Sequence, residues 1–252
     1  MIILLTEERY AKILKRVKLN KSVKLPELCE MLGASESTVR RDLSALDERG
    51  LLKKVHGGAI SLDEDSLNLP EQDVEEKSKI FAEEKAAIAE FAASLIEDGD
   101  FCFLDAGTTT EKMIDFLPLK DVSFVTNGFV HAKKLARKGF KTYIPGGEIK
   151  KTTEAIVGAE CVSSLQSYNF TKCFMGANGI SLTAGISTPD RNEAMVKTTA
   201  INRSRIAYIL ADHSKFDRVA SVTFAQTEHT QIITDKLTSK KYSALLNIKE
   251  IL

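Results

Sequence analysis

Three observations predict a mixed α/β chain of two domains. Apolar residues recur at helical spacing through residues 6–49, with short interruptions. Two strand-like runs flank Gly57-Gly58 directly after them. From about residue 99, short continuous apolar runs alternate with helical segments. The first two observations give an N-terminal winged helix-turn-helix, and the third gives a C-terminal doubly wound α/β domain. With 252 residues, 43% of them hydrophobic, the chain can build two cores. The expected boundaries are 1–60 for the first domain, 61–74 for a linker and 75–252 for the second domain.

In the first domain, Thr6 can cap a helix whose Tyr10, Ile13, Leu14 and Val17 share one face. Asn20-Lys21-Ser22 interrupts it, and Pro26 can open a second short helix with Leu28, Met31 and Leu32 inward. Gly33-Ala34 makes a tight turn, with Gly33 free to take the left-handed conformation that ends a helix. Ser35 then caps a third helix running to about Arg49. Helix, short glycine-containing turn and helix is the helix-turn-helix layout. Leu51–Val55 and Ala59–Ser61, on either side of the Gly-Gly turn, form a β-wing.

On the third helix Val39, Leu43 and Leu46 fall at i, i+4 and i+7 and can dock on a core. Ser37, Thr38, Arg40 and Arg41 lie off that stripe. Hydroxyls and guanidinium groups on the outer face of an anchored helix suit contact with base edges and phosphates in a major groove. Ser35, Ser37, Thr38, Arg40 and Arg41 are therefore expected to contact DNA, with Lys53, Lys54 and His56 of the wing along the backbone or a minor groove. The charge distribution agrees. Net charge over the chain is zero, yet residues 1–60 carry twelve Lys/Arg against eight acids, and residues 61–84 nine acids against two lysines. The alternative is a helical oligomerisation domain with a solvated basic face.

These residues carry a resemblance. Arg9-x3-Ile13-x3-Val17 followed by Ser35-x2-Thr38-Val39-Arg40-Arg41-Asp42-Leu43 resembles the helix-turn-helix signature of the DeoR family, and Lys54-Val55-His56-Gly57-Gly58-Ala59 resembles its wing. The resemblance implies a bacterial transcription regulator, typically a repressor of a sugar-catabolism operon, with a C-terminal domain that binds a phosphorylated sugar. It also implies double-stranded operator DNA as a partner and a homodimer or homotetramer.

The stretch from residue 61 is polar, acidic and contains Pro70, as an exposed linker would. From Glu75 to about Leu95 the pattern reads as one helix, with Ile80, Phe81, Ile88, Phe91 and Leu95 as its apolar positions. Strands are then expected at Phe101–Leu104, Val122–Val125, Lys141–Ile144, Lys172–Met175, Ile206–Leu210 and Ile232-Ile233. Continuous apolar strands alternating with helices imply a largely parallel sheet covered on both faces. Most of these strands end in small, polar or Gly-containing loops. In open α/β sheets ligands bind beyond the carboxyl ends of the strands.

Gly107, Thr108, Thr109 and Thr110 offer amides and hydroxyls at a helix amino terminus, a site suited to phosphate. Lys215 can add a full positive charge. Asp105, Asn127, Gly146, Gly147 and Asn178 stand at the other strand ends and complete the expected effector site. This half resembles the DeoR effector domain, which is similar to ribose-5-phosphate isomerase. The resemblance implies a phosphorylated sugar such as fructose 1-phosphate or tagatose 6-phosphate.

An isomerase of that fold needs carboxylates to move a proton. The isomerases present Asp-Gly-Ala-Asp where this chain has Met175-Gly176-Ala177-Asn178. Both carboxylates are replaced, so binding without catalysis is expected, and Glu193 and Lys197 on the following helix receive no catalytic role. An isomerase fused to a DNA-binding domain and a regulator of a different ligand stand as alternatives. There is no Walker A or G-x-G-x-x-G motif and no C-x-x-C pair among the four cysteines, so neither cofactor nor metal is expected. No apolar run approaches the roughly 20 residues of a membrane span, which leads to the expectation of a cytoplasmic protein without membrane contact.

Overall fold

The computed structural model describes residues 6–20, 22–49, 51–55, 57–61 and 73–251. His56, Gly50 and most of the expected linker lie outside the described residues. The chain divides into two compact units at residues 65 and 66.

The first unit contains α1 (Thr6–Asn20), β1 (Ser22–Lys24), α2 (Leu25–Leu32), α3 (Glu36–Glu48), β2 (Lys53–Val55) and β3 (Gly58–Ile60). Tyr10, Ile13, Val17, Leu28, Val39, Leu43 and Leu46 close one core, as their spacing requires. Gly33 ends α2 with φ 60°, and the Ser35 hydroxyl accepts the Thr38 amide at the start of α3. The wing has one strand more than expected. β1 pairs antiparallel with β3, giving the order β1-β3-β2. Three residues between two helices show too little alternation to be read as a strand. The approach is close enough to require glycine at 58, since a Cβ there would sit 2.1 Å from the Val23 carbonyl oxygen.

The second unit begins with α4 (Val74–Lys79) and α5 (Ala82–Ser94), followed by β4 (Phe101–Leu104), α6 (Thr108–Phe116), β5 (Ser123–Thr126), α7 (Phe129–Arg137) and β6 (Lys141–Tyr143). Next come the hairpin β7 (Glu148–Lys150) and β8 (Ala155–Val157), α8 (Ala159–Gln166) and β9 (Phe170–Gly176). The chain continues through β10 (Gly179–Ser181), β11 (Gly185–Thr188), α9 (Arg191–Asn202), β12 (Ser204–Leu210), β13 (Val222–Ala225), β14 (Gln231–Thr234) and β15 (Ile248–Glu250). The single helix expected over Glu75–Leu95 is two helices. Ile80 leaves α4 extended, and Phe81 takes a left-handed conformation with φ 53° and ψ 46°.

Seven parallel strands form the central sheet in the order β15-β14-β12-β9-β4-β5-β6. Central strands such as β4 are continuous apolar runs because both faces are covered. In β4, Phe103 faces the core with Cys161, Leu165, Val196 and Ala200 of α8 and α9. Cys102 and Leu104 face the other core, with Ile88, Ala92, Met113, Ile114 and Leu135 of α5, α6 and α7. The chain winds from β4 outward to β6 on one side and from β9 outward to β15 on the other. The order therefore reverses between β4 and β9, and a crevice opens at such a point beyond the strand ends.

Candidate functional site

The first unit presents the outer face of α3. Ser35, Ser37 and Thr38 form a local chain of hydroxyls, with Ser35 Oγ 2.9 Å from both Ser37 Oγ and Thr38 Oγ1. Arg40 is exposed and pairs with Glu36 one turn back at 3.2 Å. Arg41 is exposed and has no ion pair or side-chain hydrogen bond among the described residues. Lys53 and Lys54 are exposed on β2, and Lys54 Nζ donates to Ser44 Oγ of α3 at 2.7 Å, tying the wing to the helix.

Asp42, beside these arginines, has the opposite placement. It is buried, and Arg9 Nε and Nη2 donate to its two oxygens at 2.7 and 3.0 Å, so it joins α3 to α1. Its position carried the signal: Asp42 is i+3 from Val39 on the apolar stripe.

The second unit builds a cleft where β4 and β9 diverge. Its walls bound about 640 Å³ of space, open solvent included. Asp105, Gly107, Thr108, Thr109, Asn178 and Lys215, all expected from sequence, line it. The amides of Thr108 and Thr109 belong to the first turn of α6, which leaves its N–H groups without intrahelical acceptors.

Four expected residues are absent from the lining. Thr110 is fully buried and its hydroxyl is spent on the loop itself, donating to the Asp105 carbonyl at 2.6 Å and accepting the Gly107 amide at 2.9 Å. Asn127 braces the same loop, accepting the Ala106 amide at 3.1 Å and donating to the Ile156 carbonyl at 3.3 Å. Gly147, with φ 139°, lies against the Val157 carbonyl, and Gly146 faces Glu160. Buried His131 sits behind the loop with Nε2 3.1 Å from the Gly107 carbonyl, and burial lowers its pKa from the ordinary value.

Among the lining residues without an expected binding role are three buried charged ones. Lys197 is buried, pairs with Asp105 and donates to the Gly176 carbonyl at 3.1 Å. The Gly176 amide donates to Asp105 Oδ2 at 3.0 Å, so one carboxylate fastens the ends of β4 and β9 to α9. Glu193 accepts from Thr153 Oγ1 at 2.7 Å and from Lys150 Nζ at 3.1 Å. Thr188 Oγ1 lies 3.1 Å from Asn178 Oδ1 and 3.3 Å from Glu193 Oε2.

The third is Lys85, only 3% exposed. Its ammonium donates to the Lys77 carbonyl and has no carboxylate in ion-pair contact among the described residues. Burial lowers its pKa to about 8. A cation placed in this way, beside the opening turn of a helix, is arranged to receive an anion. The signal in the sequence was Lys85 standing on the apolar stripe of α5 with Ile88, Ala89 and Ala92.

Beyond the lining, Glu84, His213 and Asp235 bring possible metal-ligand atoms within 4.8 Å of one another. Both Asp235 oxygens are already engaged, by the His213 amide at 2.7 Å and by His213 Nδ1 at 2.6 Å.

Comparison with known proteins agrees with both halves. Residues 9–65 match the model of the DeoR-like helix-turn-helix domain, and residues 80–236 that of the DeoR C terminal sensor domain. A Bacillus subtilis protein called "Uncharacterized HTH-type transcriptional regulator FruR" is 44% identical over 252 residues, covering 98% of this chain and 99% of its own. The lactose phosphotransferase system repressor of Staphylococcus aureus is 34% identical over 248 residues, covering 97% of this chain and 98% of its own. Among solved structures, ribose 5-phosphate isomerase A of Methanocaldococcus jannaschii aligns with 52% of this chain and 53% of its own at 16% identity and a TM-score of 0.39. The sorbitol operon regulator SorC of Klebsiella pneumoniae aligns with 82% of this chain and 88% of its own at 11% identity and a TM-score of 0.41. Likeness at that level decides nothing about function. No helix among the described residues is long and apolar enough to cross a membrane.

Proposed function

The chain belongs to the DeoR family of transcriptional regulators, and from that premise we propose that it is a sugar-phosphate-responsive repressor. It holds the operator of a sugar-catabolism or sugar-transport gene set and is released when a phosphorylated sugar fills the cleft between β4 and β9. In this reading residues 1–60 read DNA, 61–74 connect and 75–252 sense. The molecule works as a homodimer or homotetramer, so that two reading helices address repeated half-sites. Arg40 and Arg41 contact base edges or phosphates, Ser35, Ser37 and Thr38 help fix the helix on the backbone, and Lys53 and Lys54 follow the strand beside it. His56 is assigned to the same wing from sequence alone.

The observation that carries the sensing role is Lys85. Its buried ammonium lines the same cleft as the α6 amino terminus, and a phosphate would meet the amides of Thr108 and Thr109, with Lys85 and Lys215 balancing its charge. The lining also holds Asp105, Asn178 and Glu193. These groups can accept hydrogen bonds from hydroxyls. A polyol bearing one phosphate suits this set of groups, and a ketohexose phosphate such as fructose 1-phosphate or tagatose 6-phosphate is the preferred ligand. Catalysis is not part of this reading. Asp105 is held by Lys197 and Glu193 by Lys150 and Thr153, so neither carboxylate is poised to abstract a proton.

A thermal-shift panel of sugar phosphates tests the reading, because a ligand bound only by the folded state raises its melting temperature. Fructose 1-phosphate or tagatose 6-phosphate is expected to raise it and to weaken operator binding without being turned over. If no sugar phosphate in the panel shifts the transition, the reading is wrong.

A further inference from the structure

Lys85 also holds part of the mouth of its own cleft. α4 has six residues and buries none of them. An isolated helix needs roughly 12–15 residues to be even marginal in water, so α4 depends on external support. Among the hydrogen bonds that reach it from elsewhere in the unit are two between described residues. The Val74 amide donates to the Thr152 carbonyl, in the turn between β7 and β8, at 3.4 Å. The Lys85 ammonium donates to the carbonyl of Lys77, in the last turn of α4. Val74 and Lys77 themselves line the cleft.

The joint between α4 and α5 is under tension. Phe81 occupies the left-handed region, which a residue with a bulky side chain rarely adopts. Two contacts keep it there. Its ring meets that of His213 edge-on, with centroids 4.7 Å apart, and its carbonyl accepts the Lys85 amide at 3.0 Å. Lys85 therefore grips the joint with its backbone and the end of α4 with its side chain.

We propose that an anion bound at the amino terminus of α6 takes the Lys85 ammonium from the Lys77 carbonyl and thereby releases α4, the first helix after the segment that leads to the DNA-reading unit. The inference rests on the reading of this cleft as a sugar-phosphate site. A phosphate dianion is a stronger partner for an ammonium than a neutral carbonyl, because it adds the attraction of opposite full charges to the hydrogen bond in a site with little water. The Lys77 carbonyl loses little, since it belongs to an exposed segment where water can replace the bond. Once the grip is gone, the left-handed joint at Phe81 favours rearrangement rather than resisting it. Ligand occupancy is thus converted into freedom of the chain that precedes the sensor, to the extent that the ligand binds the released state more tightly.

Hydrogen–deuterium exchange on the full chain tests the proposal, with fructose 1-phosphate, tagatose 6-phosphate and inorganic phosphate as probes. Each probe is first checked for a rise in melting temperature under the same conditions. With a probe that binds, amides 75–81 are expected to exchange several-fold faster, while those of β4 and β9 are unchanged or slower. In Lys85→Met without ligand, amides 75–81 are expected to exchange fast already, with β4 and β9 as protected as in the unmodified chain. Unchanged or slower exchange of α4 with a bound probe overturns the proposal and leaves the sugar-phosphate reading standing. So does an α4 in Lys85→Met that is as protected as in the unmodified chain. If no probe binds, the sugar-phosphate reading falls and this proposal with it. The ligand arm uses the unmodified chain, so it holds even if the variant folds poorly.

Discussion

The two units carry their cations in opposite ways. In the first, Arg40, Arg41, Lys53 and Lys54 stand in solvent, and the one arginine turned inward, Arg9, is paired with buried Asp42. In the second, Lys85 and Lys197 are buried in the lining of the cleft, where Lys197 pairs with Asp105 and Lys85 has no ion-pair partner among the described residues. Both arrangements suit phosphate, but different phosphates. A polymer with regularly spaced charges can be followed by exposed side chains that keep most of their hydration. A single small anion offers few contacts, so each must be strong, and that requires a dry cation and oriented amides.

The contrast can be broken most severely at the inward arginine. Arg9→Ala should leave the Asp42 carboxylate buried without its partner. It should cost the first unit about 3 kcal/mol, near the low end for a broken buried pair because Arg9 keeps one edge in water. Urea unfolding followed by exchange in α1 and α3 measures this, and the sensor unit should be untouched.

Arg41→Ala is the complement, with little loss of stability and a loss of operator affinity of roughly 1–3 kcal/mol. Fluorescence anisotropy on a labelled operator reads it. Unchanged affinity would remove α3 from the major groove.

Acidity separates the units next. Lys85 titrates at about 8, lowered by burial and by Lys215, Lys112 and Lys77, against an opposing contribution from Asp212. Phosphate binding requires the ammonium. Affinity for the sugar phosphate should therefore be flat below pH 8 and fall above it, by at most about tenfold per pH unit. Calorimetry from pH 7 to 9.5 shows this, and Lys85→Arg, which stays charged, should flatten the fall. Operator affinity measured over the same range should not follow that profile.

The smallest effect belongs to the cap of the reading helix. Ser35→Ala should destabilise the first unit by about 1 kcal/mol, the usual cost of a lost N-cap. Thermal unfolding of the first unit is the check.

The same contrast explains what could be read from the sequence. Val39, Leu43 and Leu46 reveal the reading helix because its core side is apolar and its outer side is not. The apolar runs Phe101–Leu104, Cys173–Met175 and Ile206–Leu210 reveal central strands because burial on both faces favours apolar residues at successive positions. The hairpin β7–β8 and the strands β10, β11 and β13 were not anticipated, since three or four residues carry too little pattern to separate strand from loop. The break at Phe81 is invisible in sequence because Ile80, Phe81 and Ile88 continue a helical apolar pattern across it.

In the cleft, residue type identified the loops but not the direction of their side chains. Thr109 lines the space, whereas Thr110 beside it is folded under the loop. Lys197 receives no role because the glycine-rich lead-in of the isomerases is replaced here by Thr188-Pro189-Asp190-Arg191, and Lys85 gives little sign because a lysine is ordinarily a surface residue. Only its position on an apolar stripe distinguishes the buried one.

Operator binding measured at increasing fructose 1-phosphate or tagatose 6-phosphate, for the unmodified chain and for Lys85→Met, tests the central claim most directly. The sugar phosphate should weaken operator binding of the unmodified chain by tenfold or more. The variant, with α4 already released, should bind the operator more weakly without ligand and lose no further affinity when the sugar phosphate is added. Release of the variant at the same sugar-phosphate concentration as the unmodified chain would contradict the account, because the buried ammonium would then have no part in sensing.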